Sequence, residues 1–158
     1  MRSAPRKTWP ICRPLPGRGQ RLTIRIGDGE AILIDDSYNA SPPSMRAAFA
    51  VLAEVLAVRR VAVLGDMLEL GARAEDEHRA LAQAAAEARI DLVFCCGPLM
   101  RHLYEALPMR MRGAHAADSE GLLPFLAEAL QPGDVILVKG SLGSRMGRIV
   151  EALARRGG

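Results

Sequence analysis

Three polar loops carry most of the residues in this 158-residue chain that could do chemistry. The first loop, DDSYNASPPSM, spans residues 35–45 and follows an apolar run. At such a strand end, the carboxylate of Asp36 could accept two hydrogen bonds from ribose hydroxyls. Tyr38, Asn39 and Ser41 add donors and acceptors that suit a base edge or a zwitterion. Asp36 and Asn39 could instead only cap and turn the chain, so both interpretations stay open.

The second loop, LVKGSLGSRM, ends an apolar run with a lysine and continues through small residues to a helix start. Two hydroxyls, of Ser141 and Ser144, and the ammonium of Lys139 are predicted to converge on one anion-sized space. Backbone N–H groups of the helix start would face the same space, which would take a carboxylate or a phosphate. Gly140 and Gly143 could instead be turn and cap residues alone.

Two further segments carry charges without a distinctive pattern. The loop GDMLELG places Asp66 and Glu69 where they could hold a substrate ammonium or simply face water. The string PGR at residues 16–18 is a turn followed by the cation of Arg18. No catalytic or metal-binding residue is assigned. The phosphate-binding pattern GxxxxGK[ST] is absent, and no shared spacing links the histidines, which are His78, His102 and His115.

Composition argues against several other classes of function. The formal charge of +3 includes seven Lys or Arg and no acid in residues 1–25, which leaves fourteen bases against eighteen acids elsewhere. A nucleic-acid partner is therefore not expected. No stretch approaches the roughly 18 apolar residues of a membrane span, and residues 1–10 lack a signal-peptide core. Without metal spacing, the cysteines are predicted to be buried thiols in a reducing cytoplasm; they are Cys12, Cys95 and Cys96.

Regular elements must bring these loops together. Residues 1–14 show no periodicity and are predicted to be disordered or foreign to the fold, which leaves 15–158 as the folded domain. The strings RLTIRI, GDG and EAILID, from Arg21 onward, are typical of a hairpin. Helical spacing then begins after Ser41, the predicted N-cap, with Pro42 at the first helical position.

The rest of the chain alternates apolar runs with helical patterns. The predicted strands are RVAVL, DLVFCC, a weak one at 113–117 and DVILVKG. The predicted helices cover about 73–89, 99–106 and 118–130, the last of these capped by Asp118, and a final segment from Met146 to Leu153. Strands without polar alternation indicate a sheet that is covered on both faces. We therefore predict an α/β fold with a doubly wound, Rossmann-like, mostly parallel sheet, one antiparallel edge strand, and ligand-binding loops at the strands' carboxyl ends.

The order PGR, DDSYNASPPSM, LGDMLELG and LVKGSLGSRM resembles the Mur ligase family from about Pro16 to Arg155. The strings are most similar to members that join D-alanyl-D-alanine to UDP-N-acetylmuramoyl tripeptide, and they point away from the folate-forming members. The resemblance implies the carboxy-terminal domain of a three-domain enzyme. In that family ATP phosphorylates the substrate carboxylate, an amine attacks the acyl phosphate, and magnesium is required.

The resemblance also implies roles for individual residues. ATP would be contacted by Arg18, Asp36 and Asn39. D-alanyl-D-alanine would be held by Ser41, Lys139, Ser141 and Ser144, although the family more often has Asn where this chain has Ser41. The phosphate cradle and the magnesium ligands would lie in a missing central domain. We therefore expect a ligase fragment from a truncated or frame-shifted gene, inactive alone; the alternative is a stand-alone nucleotide or amino-acid binding module.

Overall fold

A computed structural model describes residues 15–156 as a sheet between two layers of helices. The strands are β1 (Gln20–Ile26), β2 (Gly29–Asp36), β3 (Arg59–Gly65), β4 (Leu92–Cys96), β5 (Arg112–Ala116) and β6 (Asp134–Lys139). The helices are α1 (Pro42–Glu54), α2 (Ala74–Glu87), α3 (Met100–Ala106), α4 (Ser119–Ala129) and α5 (Gly147–Arg156). The tail predicted at residues 1–14, with Cys12, lies outside the described residues.

The strand order is β1-β2-β6-β3-β4-β5, so the last strand of the chain lies in the middle of the sheet. The pair β1–β2 is antiparallel and the other pairs are parallel, which confirms the predicted α/β architecture. Helices α1 and α2 follow β2 and β3 on one face, whereas α5 follows β6 on the other. Neighbouring connections that leave to opposite faces open a crevice at the strands' carboxyl ends.

Strand β6 shows why the strands lack polar alternation. All six of its residues are buried. Val135 and Leu137 pack in the core with α1, α2 and α3, whereas Ile136 and Val138 pack with α4 and α5. Full burial of one such side chain stabilises the fold by about 1.5–3 kcal/mol. Because both faces are covered, the apolar run is continuous, as predicted.

Two predicted helix caps are confirmed. Ser41 caps α1, since its Oγ accepts from Ser44 N at 3.3 Å while Ser44 Oγ accepts from Ser41 N at 2.9 Å. Asp118 caps α4 by accepting from Gly121 N at 2.8 Å. The last predicted helix is present as α5, and a 3-10 turn at residues 142–144, which was not predicted, precedes it. Within residues 15–156, no helix combines the length and the apolar character that crossing a membrane requires.

Glycines at the ends of β3 and β6 bring the loop after β6 directly onto the sheet. A Cβ added to Gly140 would lie 3.0 Å from Gly65 Cα, and a Cβ added to Gly65 would lie 2.7 Å from Ser144 Cβ. The fully buried Met146 fills the remaining space, with its Sδ 2.7 Å from the same Gly65 position. Since neither glycine has a side chain, residues 140–146 can pack against the strand ends.

We expect Gly65→Ala to lower the free energy of unfolding by about 1–3 kcal/mol, because an added methyl would overpack the contact with Ser144 and Met146. Gly147→Ala is the matched control, since its added methyl would make only an ordinary contact, 3.7 Å from Ser37 Oγ. Urea denaturation followed by circular dichroism measures both changes. Equal unfolding midpoints for the two variants would contradict the close approach.

Candidate functional site

Asp36 and Lys139 end neighbouring parallel strands, and their side chains form an ion pair. The two residues are register partners in β2 and β6. Lys139 Nζ donates to Asp36 Oδ2 at 2.7 Å and to the carbonyl oxygen of Asn39 at 3.0 Å. The lysine side chain is only 4% exposed, against 23% for the aspartate. A buried ammonium has to be paired, and here its partners belong to the first loop.

The Asp36 carboxylate keeps one acceptor for a ligand. Its Oδ2 is occupied by Lys139, whereas Oδ1 accepts no hydrogen bond from any group within residues 15–156. The side chain is partly exposed at the carboxyl edge of the sheet. Asp36 can therefore accept a hydrogen bond from a ligand hydroxyl while its charge stays paired.

Asp35 fastens the PGR turn to the first loop. Its buried carboxylate accepts from Gly17 N at 3.0 Å and from Ser37 Oγ at 2.6 Å. The exposed guanidinium of Arg18 then lies over the ring of Tyr38, 4.1 Å from the centroid, where a cation–π contact forms. Sequence reasoning missed this role. The Asp-Asp doublet could have indicated it. Adjacent strand residues point to opposite faces, so the two carboxylates could not serve the same contact.

Ser141 joins the three crevice loops. Its N–H donates to Asp66 O at 3.1 Å, and its Oγ accepts from Leu68 N at 2.8 Å and donates to Ala40 O at 3.4 Å. Ser144 Oγ also donates to Asp66 O, at 3.0 Å. The loops are therefore held in one arrangement by their own polar groups.

The predicted anion-sized space between Lys139, Ser141 and Ser144 is not found in this arrangement. The ammonium faces the first loop, and both hydroxyls face carbonyl groups of neighbouring loops. The physical reason is burial, because polar groups at crowded strand ends need partners inside the protein. The predicted contacts of these residues with a ligand stay predictions.

The side chain of Asp66 also holds neighbouring segments together, and it is buried instead of facing water. The carboxylate is buried, with Oδ1 accepting from Met100 N at 2.8 Å and Oδ2 from Leu99 N at 3.2 Å. These N–H groups begin α3, where a negative charge is favourable. Gly97 makes room for the carboxylate, because a Cβ there would lie 2.4 Å from Asp66 Oδ1. Glu69, by contrast, is exposed.

His78, in α2, holds the loop GDMLELG in position. The ring is fully buried, and its Nε2 accepts from Met67 N at 2.9 Å. Its Nδ1 lies 2.6 Å from Ala74 O, so the tautomer protonated at Nδ1 satisfies both contacts. His78 thus has a structural role that no sequence motif indicated.

A pocket of about 330 Å³ opens beside these loops, at the carboxyl ends of β3, β4, β5 and β6. Its polar lining includes Ser144, the basic Arg145 and three acidic residues, which are Asp66, Asp118 and Glu120. Glu120 pairs with Arg148, whereas within residues 15–156 no carboxylate pairs with Arg145. A small zwitterion suits this mixture of charges. Arg145 was not predicted, although it stands in the string LVKGSLGSRM.

The thiols near the pocket are not nucleophiles. Cys95 and Cys96 are buried, as predicted. Burial, reinforced by the nearby carboxylates of Asp66 and Asp118, raises the pKa of Cys96 to about 12. Burial also raises the pKa of Cys95, so both remain protonated at neutral pH.

Residues 15–156 contain no cluster of three His, Cys, Asp or Glu side chains that could hold a metal ion. Asp66 illustrates why, since both of its oxygens already accept backbone N–H groups. The described residues therefore do not fit a magnesium site.

Comparison with known proteins gives consistent matches over most of the chain. A family model described as Mur ligase, glutamate ligase domain, matches residues 17–142. The UDP-N-acetylmuramoyl-tripeptide–D-alanyl-D-alanine ligase of Escherichia coli K12 is 39% identical over 147 residues, which cover 92% of this chain and 31% of that protein.

Solved structures of similar ligases also match most of this chain. The MurF ligase of Thermotoga maritima in complex with ADP has a TM-score of 0.77 and 26% identity, covering 92% of this chain and 32% of that one. MurF of Acinetobacter baumannii has a TM-score of 0.74 and 31% identity, covering 89% and 30%. The chain thus spans just under a third of the length of these relatives.

We expect Asp66→Asn to lower the free energy of unfolding by about 1–3 kcal/mol, because an amide offers one acceptor oxygen where two N–H groups need partners. Hydrogen exchange should rise at the amides of Leu99 and Met100. Asp28→Asn, in the exposed turn of the hairpin, is the control and should change neither quantity. Unchanged exchange at residues 99 and 100 in the Asp66 variant would argue against this role.

Proposed function

The chain belongs to the Mur ligase family and matches the carboxy-terminal domain of its MurF-type members, and from that premise we propose that it binds ATP and D-alanyl-D-alanine. The ligase concerned adds the dipeptide to UDP-N-acetylmuramoyl tripeptide during peptidoglycan precursor synthesis. We place this reaction in the cytoplasm, where ATP is available.

The nucleotide is assigned to the first loop and the PGR turn. Asp36 Oδ1 would accept from a ribose hydroxyl, with Asn39 beside it and the Arg18 cation near the phosphates or ribose. This assignment is supported by the free acceptor on Asp36 and by the packing of Arg18 on Tyr38 in the same loop. It is also supported by the similarity to a MurF ligase that was crystallised with ADP.

The dipeptide is assigned to the pocket of about 330 Å³. Ser144, one of the predicted dipeptide ligands, belongs to its lining, but its O–H would have to leave Asp66 O to donate to the terminal carboxylate. The cation of Arg145, on the same lining, would face that carboxylate directly. Asp118, on the same lining, would face the ammonium. Ser41, Lys139 and Ser141 lie outside the lining and hold the neighbouring loops in place.

The rest of a MurF-type ligase is the proposed protein partner. Tyr38, Leu68 and Leu142 are large apolar side chains that stand exposed on the crevice loops. An exposed apolar rim of this kind is typical of a surface that another domain covers. The phosphate cradle and the magnesium ligands would come from that partner, because residues 15–156 offer no metal cluster and the sequence has no GxxxxGK[ST] string.

One observation carries the proposal. The paired Asp36 and Lys139 lie at the same carboxyl edge of the sheet as the zwitterion-sized pocket, in a chain that is 39% identical over 147 residues to a UDP-N-acetylmuramoyl-tripeptide–D-alanyl-D-alanine ligase. A stand-alone binding module remains the second candidate. It is favoured by the hydrogen bonds that already hold the crevice loops together within this one domain.

In a titration of the ¹⁵N-labelled chain, we expect ADP to shift the amide signals of Arg18 and residues 36–39. D-alanyl-D-alanine should shift those of residues 143–145 and Gly97, and L-alanyl-L-alanine, the matched control, should shift them less. Asp36→Asn should weaken ADP binding about tenfold, the effect of losing one charge-assisted hydrogen bond. If neither ligand perturbed its assigned residues at millimolar concentration, the proposal would fail.

The 158-residue chain alone should release no phosphate from ATP in the presence of magnesium, tripeptide precursor and D-alanyl-D-alanine. The acyl phosphate can be positioned and stabilised only by a phosphate cradle that this sequence lacks. A coupled phosphate assay, with a complete MurF-type ligase as the positive control, measures this. Turnover above the enzyme-free rate would show that the chain needs no partner domain.

A further inference from the structure

We propose that Lys139 is a positioning residue for the nucleotide, which orients the Asp36 carboxylate towards a ribose instead of holding the carboxylate of the dipeptide. The proposal rests on the function proposed above. It assigns Lys139, together with Asp36, to the nucleotide side of the crevice.

The position of the ammonium favours the nucleotide side. Two of its donors already reach Asp36 Oδ2 and Asn39 O, and the side chain is almost completely buried. Lys139 is absent from the lining of the dipeptide pocket. To reach a ligand there, the ammonium would have to leave Asp36 and pass the loop that Ser141 fixes to its neighbours.

The ion pair determines how Asp36 presents its free oxygen. A terminal carboxylate torsion is broad and roughly two-fold when nothing holds it. The short bond from Lys139 Nζ to Asp36 Oδ2 fixes the carboxylate plane, and Oδ1 remains as the oxygen that a ligand can use. Because the group is ordered before binding, less conformational entropy is lost when a ribose binds.

The ion pair also removes an electrostatic conflict. An isolated carboxylate beside a nucleotide would repel its phosphates, whereas a neutral ion pair does not. The other carboxylate of the doublet, Asp35, is occupied by Gly17 and Ser37, and the cation of Arg18 lies on the same loop. Asp36 can then hydrogen-bond to a hydroxyl without adding an unpaired negative charge.

The same lysine orders the backbone of the nucleotide loop. Its second bond, to Asn39 O, fixes the residue that is predicted to contact ATP together with Asp36. Asn39 Oδ1 accepts from Ala40 N at 2.9 Å, which stabilises the same turn. One ammonium therefore positions two of the three predicted ATP contacts.

The test compares the dissociation constants of ADP and 2′,3′-dideoxy-ADP, measured by calorimetry on the whole chain. Wild type should prefer ADP about tenfold, the contribution of one charge-assisted hydrogen bond. Lys139→Met should reduce this preference to less than about threefold and leave D-alanyl-D-alanine binding unchanged. Arg25→Met, which removes an exposed cation from β1, is the matched control and should behave as wild type.

A double-mutant cycle distinguishes positioning from a general loss of structure. If Lys139 acts through Asp36, Asp36→Asn/Lys139→Met should prefer ADP no less than Asp36→Asn alone, because coupled residues are not additive. The double variant has neither the ammonium nor the carboxylate, so no buried charge is left unpaired. It should therefore fold even if the single variant Lys139→Met does not, and thermal unfolding of both variants measures this. A further loss of preference in the double variant would overturn the proposal.

The remaining outcomes separate this proposal from the function on which it rests. A Lys139→Met variant that keeps the wild-type preference, or that loses dipeptide binding, would overturn the positioning role alone. A wild-type chain that binds no nucleotide would overturn the proposed function, and the positioning role with it.

Discussion

Folding places the ammonium of Lys139 at a crowded edge of the sheet, and the adjoining loop is arranged around that charge. An unpaired ammonium at this depth would cost several kcal/mol, so β2 and β6 must align with Asp36 opposite Lys139. A slip of one residue would turn the carboxylate to the other face of the sheet. Strand register and ligand-binding geometry are therefore determined by the same interaction.

The neighbouring loops are likewise held by internal hydrogen bonds, which involve two hydroxyls and one carboxylate. Ser141 and Ser144 satisfy carbonyl groups of Asp66 and Ala40, and the carboxylate of Asp66 satisfies the start of α3. These side chains resemble ligand contacts in sequence because they are polar and follow strands. In the structure most of their hydrogen-bonding capacity is used between loops, and the pocket lies beside this network.

The sequence predicted the architecture because burial leaves a periodic signal. The continuous apolar run of β6 indicated a strand covered on both faces, and Ser41 and Asp118 marked two helix starts. Side-chain partners leave no such periodic signal, so the pairing of Lys139 and the role of His78 could not be predicted. The role of Asp35 was missed although the Asp-Asp doublet pointed to it. The 3-10 turn at residues 142–144 was also missed, since one turn has no periodicity. The predicted ligand contacts remain predictions.

The central position of β6 affects how the chain can fold during synthesis. Strands β2 and β3 share no ladder, because each pairs with β6 on that side. The ion pair of Asp36 can form only after Lys139, 103 residues later in the chain, has been synthesised. Until β6 emerges from the ribosome, the nascent polypeptide has two unpaired apolar strand edges, which are open to aggregation or to chaperones.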